Sequence, residues 1–237
     1  MSRTFRNNPT GGAYPFQIYK YTSSGTFNWT KPADLEFIEL WLTGGGGGGG
    51  KGQNNWNCAS GGAAGATAHT KIKASELSSN TYQVVVGGGG NGGQSNGQEY
   101  GSNGGNSVAF GFTAEGGKGG SGAQGQEHNM SNAHAAECSN GGSVHSRDYM
   151  AIRGDLATRG GGGDNDDESA PHTQGQASYW GGGGGGGTRN CASSWNHGRD
   201  ARCFGAGGGG GADRGGSCNG PGGVGMNGIC FIVAYKK

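Results

Sequence analysis

The run Trp41-Leu-Thr-Gly-Gly-Gly-Gly-Gly-Gly-Gly-Lys51 sets seven glycines directly behind a segment that reads as a β-strand. Either order stops at Thr43, or glycine itself builds the next part of the fold. Nine further tracts bear on the choice: 61–65, 87–93, 104–105, 116–120, 141–142, 160–163, 181–187, 207–211 and 222–228, with interruptions by Ala, Asn, Lys, Val and Met. A linker would be one long Gly/Ser stretch between two domains. Ten tracts interleaved with β-like segments read instead as parts of one body.

The β-like segments are few. Phe16–Tyr21 alternates. Leu35–Thr43 puts Ile38, Leu40 and Leu42 on one face, which reads as buried. His69–Lys73 and Thr81–Val86 flank a polar turn and predict a hairpin, Ser107–Thr113 predicts one strand, and Ile229–Tyr235 is a strong closing β run. No amphipathic helix is predicted.

With 60 glycines in 237 residues and only 30% apolar residues, no large oily core is available. Collagen is excluded, because glycine does not fall at every third residue and there are five prolines. Glycine is ordered when chains adopt the extended threefold helix, which rises ~3.1 Å per residue and has no internal hydrogen bonds. Side by side, such helices satisfy one another's backbone groups. Only glycine lets backbones approach on every side. Fixing seven residues opposes order by roughly 7–14 kcal/mol at ~1–2 kcal/mol each, so one tract cannot stand alone. The expected fold is therefore all-β and irregular: a small antiparallel β base, a packed bundle of about ten polyglycine II helices, and apical loops.

Following the tracts outward and back by turns gives directions. Tracts 44–50, 87–93, 116–120, 160–163 and 207–211 run out from the base; 61–65, 104–105, 141–142, 181–187 and 222–228 return. This places loops 51–60, 94–103, 121–140, 164–180 and 212–221 at the far end, roughly 22 Å from the base at ~3.1 Å per residue. Segments 143–159 and 188–206 would lie at the base.

Ser24-Gly-Thr-Phe-Asn-Trp-Thr-Lys-Pro32 followed by Ile38-Glu-Leu-Trp-Leu-Thr-Gly-Gly-Gly-Gly47 resembles the opening of the glycine-rich domain found in bacteriophage tail fibre proteins. Gly222–Tyr235 is similar to its closing strand. The alternation of tracts and loops also resembles the small adhesins that cap the long tail fibres of T-even-like phages. The resemblance covers roughly 22–237 and implies a polyglycine-helix sandwich that presents loops to a host cell. It divides the chain into an N-terminal attachment segment, 1–21, and a glycine-rich adhesin domain, 22–237. It implies a virion protein of the tail fibre tip, made in the host cytoplasm and joined to a fibre or baseplate protein, as a homotrimer or a monomeric cap. The implied receptor is a bacterial outer-membrane protein or glycan.

Large residues in the expected outer loops are the candidate receptor contacts: Asn54, Asn55 and Trp56; Gln98 and Tyr100; His128 and Met130; Asp166; Tyr179 and Trp180. Rigid rings among Asn, Ser and Gly match the chemistry of adaptable binding surfaces. The alternative is that Trp56 and Trp180 only cap the bundle. The acidic run Asp164–Glu168 has oxygen ligands for calcium but places Ser169 where an EF-hand loop has glycine. Gly223–Gly228 matches GxGxxG, but its strand follows it, so the dinucleotide reading fails. Asn-Cys-Ala-Ser occurs at 57–60 and again at 190–193.

Six cysteines without a CxxC pair argue against zinc, and no cofactor is expected. A net charge of +1 with no Lys/Arg run argues against nucleic acid and anionic membrane as main partners. No nucleophile or paired-acid arrangement is recognisable, so the expectation is a binding protein and not an enzyme. The alternative function is a purely structural tail or baseplate component.

Overall fold

The computed structural model describes residues 15–52, 59–94, 99–122, 138–140, 150–152, 174–187, 197–212 and 220–236. The strands are β1 (Pro15–Tyr21), β2 (Gly25–Thr30), β3 (Leu35–Thr43), β4 (Thr67–Lys73), β5 (Thr81–Val86), β6 (Ser107–Ala109), β7 (Phe112–Ala114), β8 (Cys138–Asn140), β9 (Met150–Ile152) and β10 (Ile229–Lys236). They form two sheets, ordered β1-β10-β3-β4-β9 and β2-β5-β6-β7-β8. Every pairing is antiparallel. There is no α-helix among the described residues.

The alternation in β3 works as expected. Ile38, Leu40 and Leu42 are fully buried and meet Trp29, Val84, Val86 and Phe112 of the other sheet in one core. Each such burial contributes roughly 1.5–3 kcal/mol. Where the fold departs from expectation, the reasons are local. Residues 69–86 are not a hairpin: β4 pairs with β3 and β9, whereas β5 pairs with β2 and β6. Between them a 3-10 turn, Ala74–Glu76, delivers Leu77 into the core and carries the chain from one sheet to the other. Residues 107–113 are not one strand, because Phe110 and Gly111 take positive φ values of 50° and 83° and fold β6 back onto β7. β2 was not anticipated; on it only Trp29 is buried.

Beyond the sheets the glycine tracts pack as a bundle. Tract 44–52 lies at its centre, and its amides are used in threes. Gly44, Gly47 and Gly50 donate to Ala66, Ala63 and Ser60; Gly45, Gly48 and Lys51 donate to Gly105, Ser102 and Glu99; Gly46, Gly49 and Gly52 donate to Met226, Gly223 and Gly220, all at 2.9–3.0 Å. Its carbonyls accept from three other tracts: Gly117 and Gly120, Gly90 and Gly93, and Gly208 and Gly211. Six neighbours thus surround it, and no backbone group from Gly45 to Gly50 is left to water. A Cβ on Gly46 or Gly49 would lie well inside 3.0 Å of the carbonyl oxygen of Ala206 or Gly209. Separating the tracts enough to admit it would break these bonds, so the bundle requires glycine here.

Peripheral tracts follow a different rule. On two of them the exposed positions recur every third residue and carry side chains, Asn91 and Gln94, then Tyr100, Asn103 and Asn106, and Lys118 and Val224 are exposed on two other tracts. Several of these side chains replace the missing neighbour. Asn103 Oδ1 accepts from Gly119 N, Asn106 Oδ1 from Gly116 N, Asn227 Oδ1 from Gly89 N and Asp200 Oδ1 from Val224 N, at 2.8–3.0 Å. An outermost amide with no further tract to bond is satisfied by an adjacent Asx carbonyl, as buried polar groups require.

The directions differ from expectation in the second half. β8 runs away from the bundle, with Cys138 opposite Ala114 and Asn140 opposite Phe112, so the chain is already at the base at residue 138. Tract 181–187 runs outward, because Gly184 and Gly187 donate in parallel register to Gly207 and Gly210. The returning leg is Gln174–Ala177, and the chain turns at Ser178–Gly181, where Gly181 has φ 141°. A second unanticipated leg, 197–202, runs inward beside 220–228 through Gly198 N to Pro221 O and Ala201 N to Val224 O, both 2.9 Å. Segment 188–206 therefore does not sit at the base as a whole: its leg 197–202 runs along the bundle, and the turn at Cys203–Ala206 reaches the base. Tracts 141–142 and 160–163 fall outside the described residues.

Candidate functional site

Described residues that flank several of the chain's connections meet at the end of the bundle remote from the sheets. Gly52 and Ala59 flank 53–58, Gln94 and Glu99 flank 95–98, Gly187 and His197 flank 188–196, Ala212 and Gly220 flank 213–219, and Gly122 ends the tract that leads into 123–137. These flanks are tied to one another. Lys51 N donates to Glu99 O, Gly52 N to Gly220 O and Ala59 N to Gly211 O, each at 2.9 Å. Ser121 N donates to Ser60 Oγ at 2.6 Å. Every one of these connections therefore starts from a fixed platform, with both ends held to neighbouring tracts wherever both are described.

Of the candidate contacts, Tyr100 stands at this apex. It is 53% exposed and heads the outward row that continues with Asn103 and Asn106. Asn54, Asn55, Trp56, Gln98, His128, Met130 and Asp166 lie outside the described residues, as does the acidic run 164–168. Tyr179 and Trp180 are not at the apex. The turn at Ser178–Gly181 sets them beside the sheets, where Trp180 Nε1 donates to Thr43 Oγ1 at 2.8 Å at the end of β3. Thr43 Oγ1 also shares a hydrogen bond with Thr67 Oγ1. Trp180 therefore locks the junction of sheet and bundle, while Tyr179, 48% exposed, packs edge-on against it. The misplacement follows from reading 181–187 as a returning tract.

Residues near the apex that the sequence reading passed over are Lys51, only 6% exposed, and the exposed His197 that opens the unanticipated inward leg; the exposed Arg199 and Asp200 lie further down that leg. The signal available for the peripheral tracts was the period-three spacing of their non-glycine residues. With the direction of 181–187 revised, both Asn-Cys-Ala-Ser copies now follow outward tracts; residues 57–58 and 190–193 themselves lie outside the described residues.

No group of metal-binding side chains occurs among the described residues. Among the described residues, the shifted ionisations sit at the base. Burial pushes the Cys230 thiol up, and burial also raises Tyr19, Tyr21 and Tyr235, the last with a further contribution from Glu39. A cleft of about 460 Å³ opens at the pole opposite the apex between Lys31, Leu35, Phe37, Lys71 and Lys73. Two of its three cations are already engaged: Lys31 Nζ donates to Leu77 O at 2.8 Å, and Lys71 Nζ lies 3.5 Å from the Phe37 ring centre. That leaves the apex, with its converging connections, as the stronger candidate site.

No curated protein matches this sequence. Residues 22–235 match the family described as Glycine-rich domain, from three residues before β2 almost to the end of β10. Because that match spans most of the chain, the protein belongs to the glycine-rich domain family.

Proposed function

We propose that this protein is a bacteriophage tail fibre tip adhesin, a non-enzymatic receptor-binding protein whose tracts are polyglycine II helices. The observation that carries this reading is the period-three bonding of 44–52 to six surrounding tracts. Threefold repetition of donors is what an extended threefold helix supplies. A bundle bonded on all sides is stiff, and stiffness lowers the ordering cost of presenting loops to a partner. The recognition surface is the apex, formed from 53–58, 95–98, 123–137, 188–196 and 213–219 with Tyr100 at its rim. Asn54, Asn55, Trp56, Gln98, His128 and Met130 are its contact residues. Asp166 belongs to the connection that leads to Gln174. Tyr179 and Trp180 are left out of the surface because they sit at the base. The receptor is a bacterial outer-membrane protein or glycan, and the base faces the virion.

Binding of the labelled protein to a panel of bacteria, receptor-deficient strains included, tests this directly. Trp56→Ala and Tyr100→Ala are expected to lose at least tenfold in cell binding at unchanged melting temperature. Absence of binding to every strain would leave the structural reading, a tail or baseplate component, in its place.

A further inference from the structure

The sheet β1-β10-β3-β4-β9 has a second face, turned away from the core, and its chemistry is unusual for a solvated surface. An antiparallel sheet with one wet face normally alternates apolar inside with polar outside. Here the outer positions of β3 and β10 are largely aromatic. Strand register arranges them in rows. The first row reads Lys20, Phe231, Trp41, His69. Ile18, Val233, Glu39 and Lys71 make the second, and Tyr235, Phe37 and Lys73 the third. Trp41 stacks on His69 with centroids 4.3 Å apart, Phe37 stacks on Tyr235 at the same distance, and Phe231 meets Trp41 edge-on at 5.6 Å. All five of these groups are half-buried, and Ile18 beside them is 49% exposed.

Two features identify what covers such a face. The stacked rings are closed against one another, and Lys71 Nζ lies over Phe37 while Lys20 Nζ lies 5.5 Å from the Phe231 centroid. Few ring faces remain open for a sugar to stack on. The charges, in turn, select a symmetry. A two-fold axis lying along the strands would set Phe231 against the partner's Trp41, Tyr235 against the partner's Phe37, Val233 against the partner's Glu39 and Ile18 against the partner's Lys71. Rings then meet rings, Lys20 meets the partner's His69, and neither Glu39 nor Lys71 meets its own kind. A two-fold axis across the strands would superpose Glu39 on the partner's Glu39 and Lys71 on the partner's Lys71. From strand spacings of ~4.8 Å and a rise of ~3.3 Å per residue, the face buries on the order of 1,000 Å² in total across both copies. That lies at the lower edge of stable association, near ~1,200 Å².

We infer that this face binds a second copy of the chain, in a parallel dimer whose two-fold axis runs along the strands. Because the bundle extends β3 along the same direction, both apices point the same way. If the apex is the receptor-binding surface proposed above, the dimer is bivalent, and its avidity exceeds the affinity of either apex.

Sedimentation of the full chain between ~1 and ~200 μM tests this without any receptor, so a negative result leaves the cell-binding reading untouched. The expected result is a mass rising from 23.6 kDa towards twice that value within this range. Phe231→Lys is expected to weaken association at least tenfold. Ile18→Glu distinguishes the two symmetries: opposite the partner's Lys71 it should maintain or tighten the dimer, whereas across the other axis it would face itself and abolish it. Should Phe231→Lys misfold, a short thiol cross-linker applied to mixed Val233→Cys and Glu39→Cys chains should join them well beyond the parent chain with its six cysteines, while Glu39→Cys alone should cross-link no more than the parent. A monomer at every concentration overturns the proposal, as does loss of the dimer in Ile18→Glu or cross-linking of Glu39→Cys to itself.

Discussion

Replacing Gly49 with alanine puts a methyl group into the tightest part of the bundle. Its Cβ would be driven into the Gly209 carbonyl, a backbone atom that cannot rotate aside. Tract 205–212 has to back away, and the bonds on either side of the clash, Gly208 N to Gly47 O and Gly211 N to Gly50 O, both 2.9 Å, stretch beyond use. Counting one poorly satisfied group per stretched bond, at about 1–3 kcal/mol each, the two bonds cost about 2–6 kcal/mol. Alanine recovers about 0.4–1 kcal/mol by restricting the unfolded chain. The net loss is roughly 2–5 kcal/mol, a large share of the ~5–15 kcal/mol available to a typical domain. At ~2–4 °C per kcal/mol for a chain of this size, the melting temperature should fall by roughly 5–20 °C. Gly182 supplies the control. It is exposed, a Cβ there meets nothing within 4 Å, and its φ is not in the left-handed region. Gly182→Ala should be neutral or stabilising by up to ~1 kcal/mol. Calorimetry of the two variants beside the parent is sufficient. Equal, small effects from both would refute the claim that close packing, and not glycine's flexibility, explains the central tract.

Other consequences are equally specific. Asn227→Ala removes the acceptor of the Gly89 amide and should cost about 1 kcal/mol, with faster hydrogen exchange at Gly89 and little change at Gly48. Trp180→Phe removes the bond to Thr43 and should lower stability by about 0.5–1.5 kcal/mol while cell binding stays at the parent level, as measured by melting and by cell-binding titration. Because burial raises the Cys230 thiol above its ordinary 9.0, and raises Tyr19, Tyr21 and Tyr235 above 10.0, the unfolded chain sheds these protons first. Their contribution is complete below about pH 9 and declines as pH rises beyond it, so the melting temperature should fall above pH 9, and less steeply between pH 9 and 10 in Cys230→Ala.

The base was legible where period-two patterning had a core to report on. Ile38, Leu40 and Leu42 alternate because β3 is covered on that face, and the alternation needs no knowledge of the partner sheet. The supposed hairpin at 69–86 misled because two good strands joined by a short polar turn look alike whether they share a sheet or lie in facing ones; Leu77, a single apolar residue within the turn, marked the crossing. In the bundle, glycine content identified the buried tracts well and the peripheral ones poorly. A central tract must be glycine at nearly every position. A peripheral one has a free side every third residue, so Gln174–Ala177 and 197–202 hold places in the bundle with little glycine. Missing those two legs reversed the direction assigned to 181–187 and moved Tyr179 and Trp180 from base to apex. The spacing of Tyr100, Asn103 and Asn106 carried the needed information, because three-residue periodicity in the exceptions reports which side of a tract faces water.

Native-state hydrogen exchange at the amides of Gly44–Gly52, resolved residue by residue, tests the glycine bundle most directly. An ordered bundle predicts slow exchange for all of them, with protection close to the global unfolding free energy and comparable to that of Leu40 and Leu42 in β3. Exchange at the rate of an unstructured peptide, alongside a protected β3, would contradict it.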